Sequence, residues 1–278
     1  MTTTGATIVV ACVNYHRPAE TVEFVTSVRA QAGGDELEVI IVDNSGPKND
    51  LLLPAPTRVL APGRNVGYFG AASLAFAEYV ARIGIPDWFV ISNTDVVFED
   101  DHFFTTLVRL YRHEPPAVVA PAIVSIQFGQ DQNPNLEHRP SAKRMRFYKA
   151  IFKRYLLNIG YQGLSILRAR LRQRSRRASP TALADARVPR AIYAAHGAFM
   201  IFHRSYFDGG GDLAHGAFLF GEEIYVAETA RRLGMRVIYD PRLRVLHREH
   251  VSMGGFHNRQ IAGYRADAIA YLVDRFFS

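Results

Sequence analysis

The chain has a single cysteine, Cys12, and a single tryptophan, Trp88, among its 278 residues. One thiol rules out an internal disulfide framework, and its place inside the apolar run Thr7–Val13 reads as core packing. No apolar run approaches the roughly 20 residues that a membrane-spanning helix needs; the longest candidate, Ala191–Phe202, is interrupted by His196 and Gly197. The amino terminus leads into the first strand after six residues with no signal-peptide pattern, and there is no internal repeat. The expectation is a cytoplasmic protein, or one peripheral on the cytoplasmic face of a membrane. Glycine is missing after the first strand, where the chain reads NYHRP. That excludes the G-x-G-x-x-G of a nicotinamide dehydrogenase and counts against a nucleotidyltransferase, which would want a basic, Gly-rich loop there. Acid is missing from His138 to Ala184, a stretch with thirteen Lys or Arg. Without that stretch the formal charge changes from +7 to −6, with 20 basic and 26 acidic residues, so the basic character is local.

What is present is a strong α/β rhythm. At 48% hydrophobic content the chain can bury a full core, most simply as one domain over residues 1–278 with an insert at about 138–186. Thr7–Val13 is a β-rich run ending in Asn14-Tyr15-His16-Arg17-Pro18, and Pro18 suits the first turn of a helix running to about Ala32. Leu37–Val42 is a buried-type strand ending in Asp43-Asn44-Ser45. A weaker strand, Thr57–Leu60, leads through Pro62–Gly67 to a helix over about 69–82. Residues 87–99, DWFVISNTDVVFE, form another buried strand that runs into the polar triplet Asn93-Thr94-Asp95. This order predicts a mostly parallel sheet with right-handed crossovers, in which three strand ends carry polar clusters at Tyr15, Asp43 and Asp95.

Ligands of open α/β sheets bind outside the carboxyl ends of the strands. A carboxylate held there beside Asn and Thr oxygens suits a hard divalent cation shared with substrate phosphates. The plainer alternative is that Asp95 caps a helix starting near Asp100. Downstream, Glu222-Glu223 opens a helix directly after an aromatic stretch, where burial raises a carboxyl pKa and a like charge assists. Acids are also favoured at helix starts by the dipole alone.

The blocks VVACVNYHRP, VIIVDNS, GRNVGYFGA, FVISNTDVVFEDD, HGAFMIFHRSYFDGGG, FLFGEEIYVAETARRLGMRVIYDPRLRVLH and GYRADAIAYL follow one another over roughly residues 6–135 and 190–272. In this series the chain resembles the family 2 glycosyltransferases with the GT-A fold, among them bacterial rhamnosyl- and galactosyltransferases. The resemblance implies a Rossmann-like central sheet with flanking helices. It also implies inverting transfer of a sugar from a UDP- or dTDP-sugar to a hydroxyl of a glycan or lipid-linked glycan. Asp95 and His247 would hold Mn2+ or Mg2+. Glu223 would be the base, with Glu222 organising acceptor or metal contacts. Val13, Tyr15, Asp43, Arg64, Asn65, Asn93 and Thr94 would meet the nucleotide sugar: the Tyr15 ring stacking on the base, Asp43 accepting from a pyrimidine N–H, Arg64 facing the diphosphate. Gly67 reads as a turn residue. Two positions bear on the family pattern: NTD satisfies its Asp-x-Asp or Asn-x-Asp motif with Asp95 as the only carboxylate, and the family's Glu-Asp pair is Glu-Glu here. A catalytically inactive glycosyltransferase-like binding protein is the alternative that is not an enzyme, and the joint presence of Asp95, Glu223 and His247 argues against it.

In the basic insert, Met145, Tyr148, Ile151, Phe152, Tyr155, Leu156 and Ile159 share one side of a helix over 143–159, with Arg146, Lys149, Lys153 and Arg154 on the other. Arg168, Arg170, Arg172, Arg174 and Arg176 alternate and cannot share one helix face. Three readings compete for 143–177: an anionic membrane surface, nucleic acid, and an apolar face that completes the core or a homo-oligomer contact. Nucleic acid is not expected, since the chain has neither an RRM nor a zinc signature.

Overall fold

The computed structural model describes residues 5–31, 37–46, 51–154, 188–249 and 259–278. Strands β1 (Ile8–Asn14), β2 (Leu37–Asp43), β3 (Arg58–Leu60) and β4 (Trp88–Asn93) form a parallel half-sheet in the order β3-β2-β1-β4. Helices α1 (Pro18–Arg29) and α2 (Tyr68–Arg82) are its crossovers. The sheet continues through β8 (Phe199–His203), β6 (Val118–Ser125), β9 (Val237–His247) and β5 (Val96–Phe98), while β7 (Arg190–Ile192) also pairs with β9. In this second half only β6 and β9 run parallel; the pairings β4–β8, β6–β8, β5–β9 and β7–β9 are antiparallel. The mostly parallel character expected of the sheet thus belongs chiefly to its β3-β2-β1-β4 half.

Alternation along each strand sends side chains to two cores. Val9 and Ala11 join Phe69, Ala72, Tyr225 and Leu272 on one face, and Ile8, Val10 and Cys12 join Phe24, Val25, Phe103 and Leu107 on the other. Each such fully buried large apolar side chain contributes about 1.5–3 kcal/mol by leaving water. The first core is covered by α2, α6 (Glu222–Arg232) and α7 (Arg259–Phe276), the second by α1 and α3 (Phe103–Leu110). A short helix, α5 (Arg204–Asp208), follows β8.

Two element expectations change. The residues after Asp95 form β5 first, and α3 starts only at Phe103, so Asp95 does not cap a helix at Asp100. The run from Ala191 to Phe202 becomes two strands, β7 and β8, separated at His196 and Gly197.

The helix of the basic insert is α4 (Ala142–Phe152), capped by the Ser141 hydroxyl accepting the Arg144 N–H. Its apolar side faces inward: Met145 is buried in the first core and Tyr148 packs against it. Lys149 pairs with Asp274, and Arg146 donates to the Phe277 carbonyl. For the described part of the helix this is the core-completing arrangement. Tyr155, Leu156, Ile159 and the arginines from Arg168 to Arg176 lie outside the described residues.

Candidate active site

The parallel register aligns the strand ends, with Asn14 opposite Asp43 and Val13 opposite Asn93. Asn14 is the hub of this edge. Its amide donates to Asp43 Oδ1 at 2.9 Å and to Ser45 Oγ at 3.2 Å, and its Oδ1 accepts from the Arg17 N–H and the Thr21 hydroxyl, both at 3.0 Å. Asp43, buried, also accepts the Ser45 N–H on the same oxygen, so its carboxylate is oriented before any ligand arrives. Tyr15 is 46% exposed with its ring beside that of His16, an open aromatic face at the strand end.

The next loop is tied to the same edge. Asn44 donates to the Gly67 carbonyl and accepts the Val66 N–H, while Asn65 accepts the Gly67 N–H at 2.9 Å. Gly67 sits at φ 81°, and a β-carbon there would lie 2.1 Å from the Phe218 carbonyl oxygen. It is therefore more than a turn residue: only glycine lets this loop approach the backbone before α6. Arg64 is exposed in the same loop, and Val13 and Thr94 are partly buried.

Val96 of β5 lies opposite His247 of β9, which brings Asp95 beside the His247 ring. Asp95 Oδ1 and His247 Nε2 are 3.2 Å apart; both are buried, and neither atom makes a hydrogen bond. The other ring nitrogen, Nδ1, meets Gln132 Oε1 at 2.7 Å. Nδ1 donates in that contact, which leaves Nε2 with a lone pair facing a carboxylate oxygen, a pairing that only a proton or a cation between them makes favourable. The two atoms fit a shared divalent ion. Among the described residues no group of three or more His, Cys, Asp or Glu side chains could hold one, so the remaining ligands would be water and substrate oxygens. His250 lies outside the described residues.

His196 packs its ring 5.9 Å from that of His247. Its Nδ1 accepts the Ala198 N–H, so Nε2 carries the proton, and burial, aided by His247 against the opposing pull of Asp95, lowers its pKa to about 4. The imidazole is neutral at ordinary pH.

The acidic pair opens α6 after two left-handed residues, Phe220 at φ 71° and Gly221 at φ 83°. Glu222 is buried, and that burial, with the like charge of Glu223, pushes its pKa up to about 8. Glu223 keeps more exposed surface than Glu222, and burial raises its pKa as well. Its carboxylate accepts the backbone N–H of Gly197, where a β-carbon would stand 2.9 Å from Oε1. The Gly197 carbonyl in turn accepts the Tyr68 hydroxyl at 2.9 Å. Burial first, then the fields of Cys12, Glu222, Asp95 and Glu223, hold the Tyr68 proton firmly in place. Asp95 and the glutamate pair thus act on one phenol.

Sequence alone points to none of Tyr68, Gln132, His196 and Gly197 as site residues, and to Asn14 only as part of a strand end. The glycine in HGAFM and the asparagine closing β1 were the visible signals; Gln132 had none, because its role exists only once β6 folds back on β9.

The family described as Glycosyl transferase family 2 matches residues 7–209. No curated protein sequence matches the chain. Among solved structures, the fold is similar to that of GalNAc-T7 with UDP, GalNAc and Mn2+, at TM-score 0.54 and 14% identity over 90% of this chain. It is also similar to a mannosyltransferase from Pyrobaculum calidifontis in complex with GDP-Man and Mn2+, at TM-score 0.51 and 16% identity over 94%. The chain spans 45% and 61% of those two proteins.

Proposed function

The chain belongs to glycosyl transferase family 2 and has the GT-A fold, and from that premise we propose that it moves a sugar from a nucleotide diphosphate to an acceptor hydroxyl with inversion. One observation carries the reading: buried Asp95 Oδ1 and His247 Nε2 face each other without a hydrogen bond, at the carboxyl edge of the sheet. Asp95 and His247 would hold Mn2+ or Mg2+, which when bound would neutralise charge developing on the departing diphosphate. That two structural neighbours contain a nucleotide and Mn2+ supports the metal and donor class.

The chain's own groups divide the remaining work. Asn14 and Ser45 orient the Asp43 carboxylate for a pyrimidine N–H, and the Tyr15 ring offers a stacking face. Asn93 and Thr94 lie between the base site and Asp95, and Arg64 and Asn65 serve the diphosphate side. Glu223 is the base: it takes the acceptor hydroxyl proton as that oxygen bonds to the anomeric carbon and the carbon–diphosphate bond breaks on the opposite face. Glu222 organises acceptor or metal contacts beside it. The acceptor is a glycan or lipid-linked glycan, and the donor a UDP- or dTDP-sugar.

A second reading concerns the outer side of α4. Lys143, Phe147 and Ala150 recur at helical spacing on the side opposite Met145, all exposed, with Phe147 at 56%, and Lys153 and Arg154 are exposed just past the helix end. An exposed aromatic among cations suits an anionic lipid surface, where each basic residue adds about 1 kcal/mol. That would bring a lipid-linked acceptor to the cleft.

The test is transfer or hydrolysis with a panel of UDP-, dTDP- and GDP-sugars with Mn2+, Mg2+ or chelator. We expect turnover of one donor class, abolished by chelator and by Asp95→Ala, with the anomeric configuration inverted. Equal nucleotide affinity with and without metal would overturn the metal assignment, and retention would overturn Glu223 as a simple base.

A further inference from the structure

We infer that Gln132 is a positioning residue that holds a His247 proton on Nδ1, so that Nε2 is the nitrogen presented beside Asp95 to a cation. The inference rests on the metal reading above. A ring nitrogen can ligate a cation only through its lone pair, and which nitrogen keeps one is set by what the other nitrogen bonds. Here that partner is the Gln132 side-chain oxygen, 2.7 Å from Nδ1. An acceptor at Nδ1 requires a proton there, so Nε2, 3.2 Å from an Asp95 oxygen that makes no hydrogen bond, is the nitrogen left for a proton or a cation.

The backbone around Gln132 is held on both flanks and at the residue itself. Asp131 Oδ1 accepts the N–H groups of Ile123 and Asn133, each at 2.9 Å, and its Oδ2 accepts the Tyr239 hydroxyl at 2.6 Å. The Gln132 N–H donates to the Ile123 carbonyl. Asn133 donates to the Pro121 carbonyl and accepts the His196 N–H, both at 2.7 Å. Gln132 is thus pinned between β6 and β9, the second of which carries His247. A side chain on so fixed a backbone loses little freedom when it orients the ring, which is the condition for a preformed ligand.

The experiment is long-range 1H–15N correlation on protein labelled in its histidines, without metal, with the His247 signal assigned by its loss in His247→Ala. The wild type is expected to show His247 protonated at Nδ1. Gln132→Leu removes the acceptor, so Nδ1 should lose its proton while Nε2 carries one toward Asp95, and Mn2+ alone, followed by water-proton relaxation, should bind about 10–100-fold more weakly. Gln132→Glu keeps an acceptor and should keep both the tautomer and the Mn2+ affinity within a few-fold of wild type or tighter. A His247 without a proton at Nδ1 in the wild type would overturn the inference, as would wild-type Mn2+ affinity in a folded Gln132→Leu. If Gln132→Leu does not fold, the wild-type tautomer decides. Unchanged Mn2+ binding in Asp95→Ala and His247→Ala would instead remove the metal reading, a result distinguishable from failure at Gln132.

Discussion

At the scale of single residues, the roles proposed for the glutamate pair rest on a difference in exposure. Glu223 touches the Gly197 N–H and is the more open of the two, whereas Glu222 is buried with its pKa pushed up to about 8. A base works only when deprotonated, so a raised pKa places the acid limb of the kcat/KM profile above the ordinary carboxylate range. Glu223→Gln should lower transfer about 10²–10⁴-fold with donor affinity near normal. Glu222→Gln should cost less and leave the acid limb in place, because Glu222 is protonated and uncharged below about pH 8. The reverse ranking would exchange the two roles. The same shift has a stability consequence. A carboxyl whose folded pKa exceeds its unfolded value binds more protons when folded, so its contribution declines as pH rises from about 4.5 to about 8. The melting temperature of Glu222→Gln should therefore gain on wild type across that window and stay level above it; a constant difference would mean the carboxyl is not perturbed.

At the scale of elements, α6 is held at its far end by a buried ion cluster. Glu228 has no exposed surface; it accepts two hydrogen bonds from Arg139, two from Arg231 and one from the Tyr193 hydroxyl, and these donors hold its pKa below the usual range despite burial. Arg139 reaches it from the segment before α4 and also donates to the Phe276 carbonyl, so one guanidinium joins α6, α7 and that segment. Arg139→Ala should destabilise by about 1–3 kcal/mol, because a buried carboxylate loses its bidentate partner. Arg231 is half exposed and lies one turn along the same helix, so Arg231→Ala should cost less than about 1 kcal/mol. Urea denaturation of both variants checks the ranking, and equal costs would show that Glu228 depends on neither in particular.

At the scale of the whole molecule, charge is divided between a net acidic body and the basic stretch 138–184. Wild-type protein should co-sediment with vesicles containing anionic lipid at low salt and less so as salt rises. Lys143, Lys153 and Arg154 changed together to Glu should release it while donor hydrolysis survives; binding unaffected by that reversal, or absent at low salt, removes the lipid reading. The inward turn of Met145 and Tyr148 was not legible in the sequence, because an amphipathic pattern states that a helix has an apolar side and not whether lipid or α7 covers it. Alternation and breaker residues did determine the strands, their polar ends at Asn14, Asp43 and Asn93, and the helix opened by Glu222, since these depend on neighbours a few residues apart. The contact of Asp95 with His247 spans 152 positions, from 95 to 247, and depends on β5 pairing with β9. Gln132 reaches the same ring only because β6 lies beside β9, and Gly67 meets Phe218 only where two loops converge. Sheet order made those contacts, and no short-range pattern encodes sheet order.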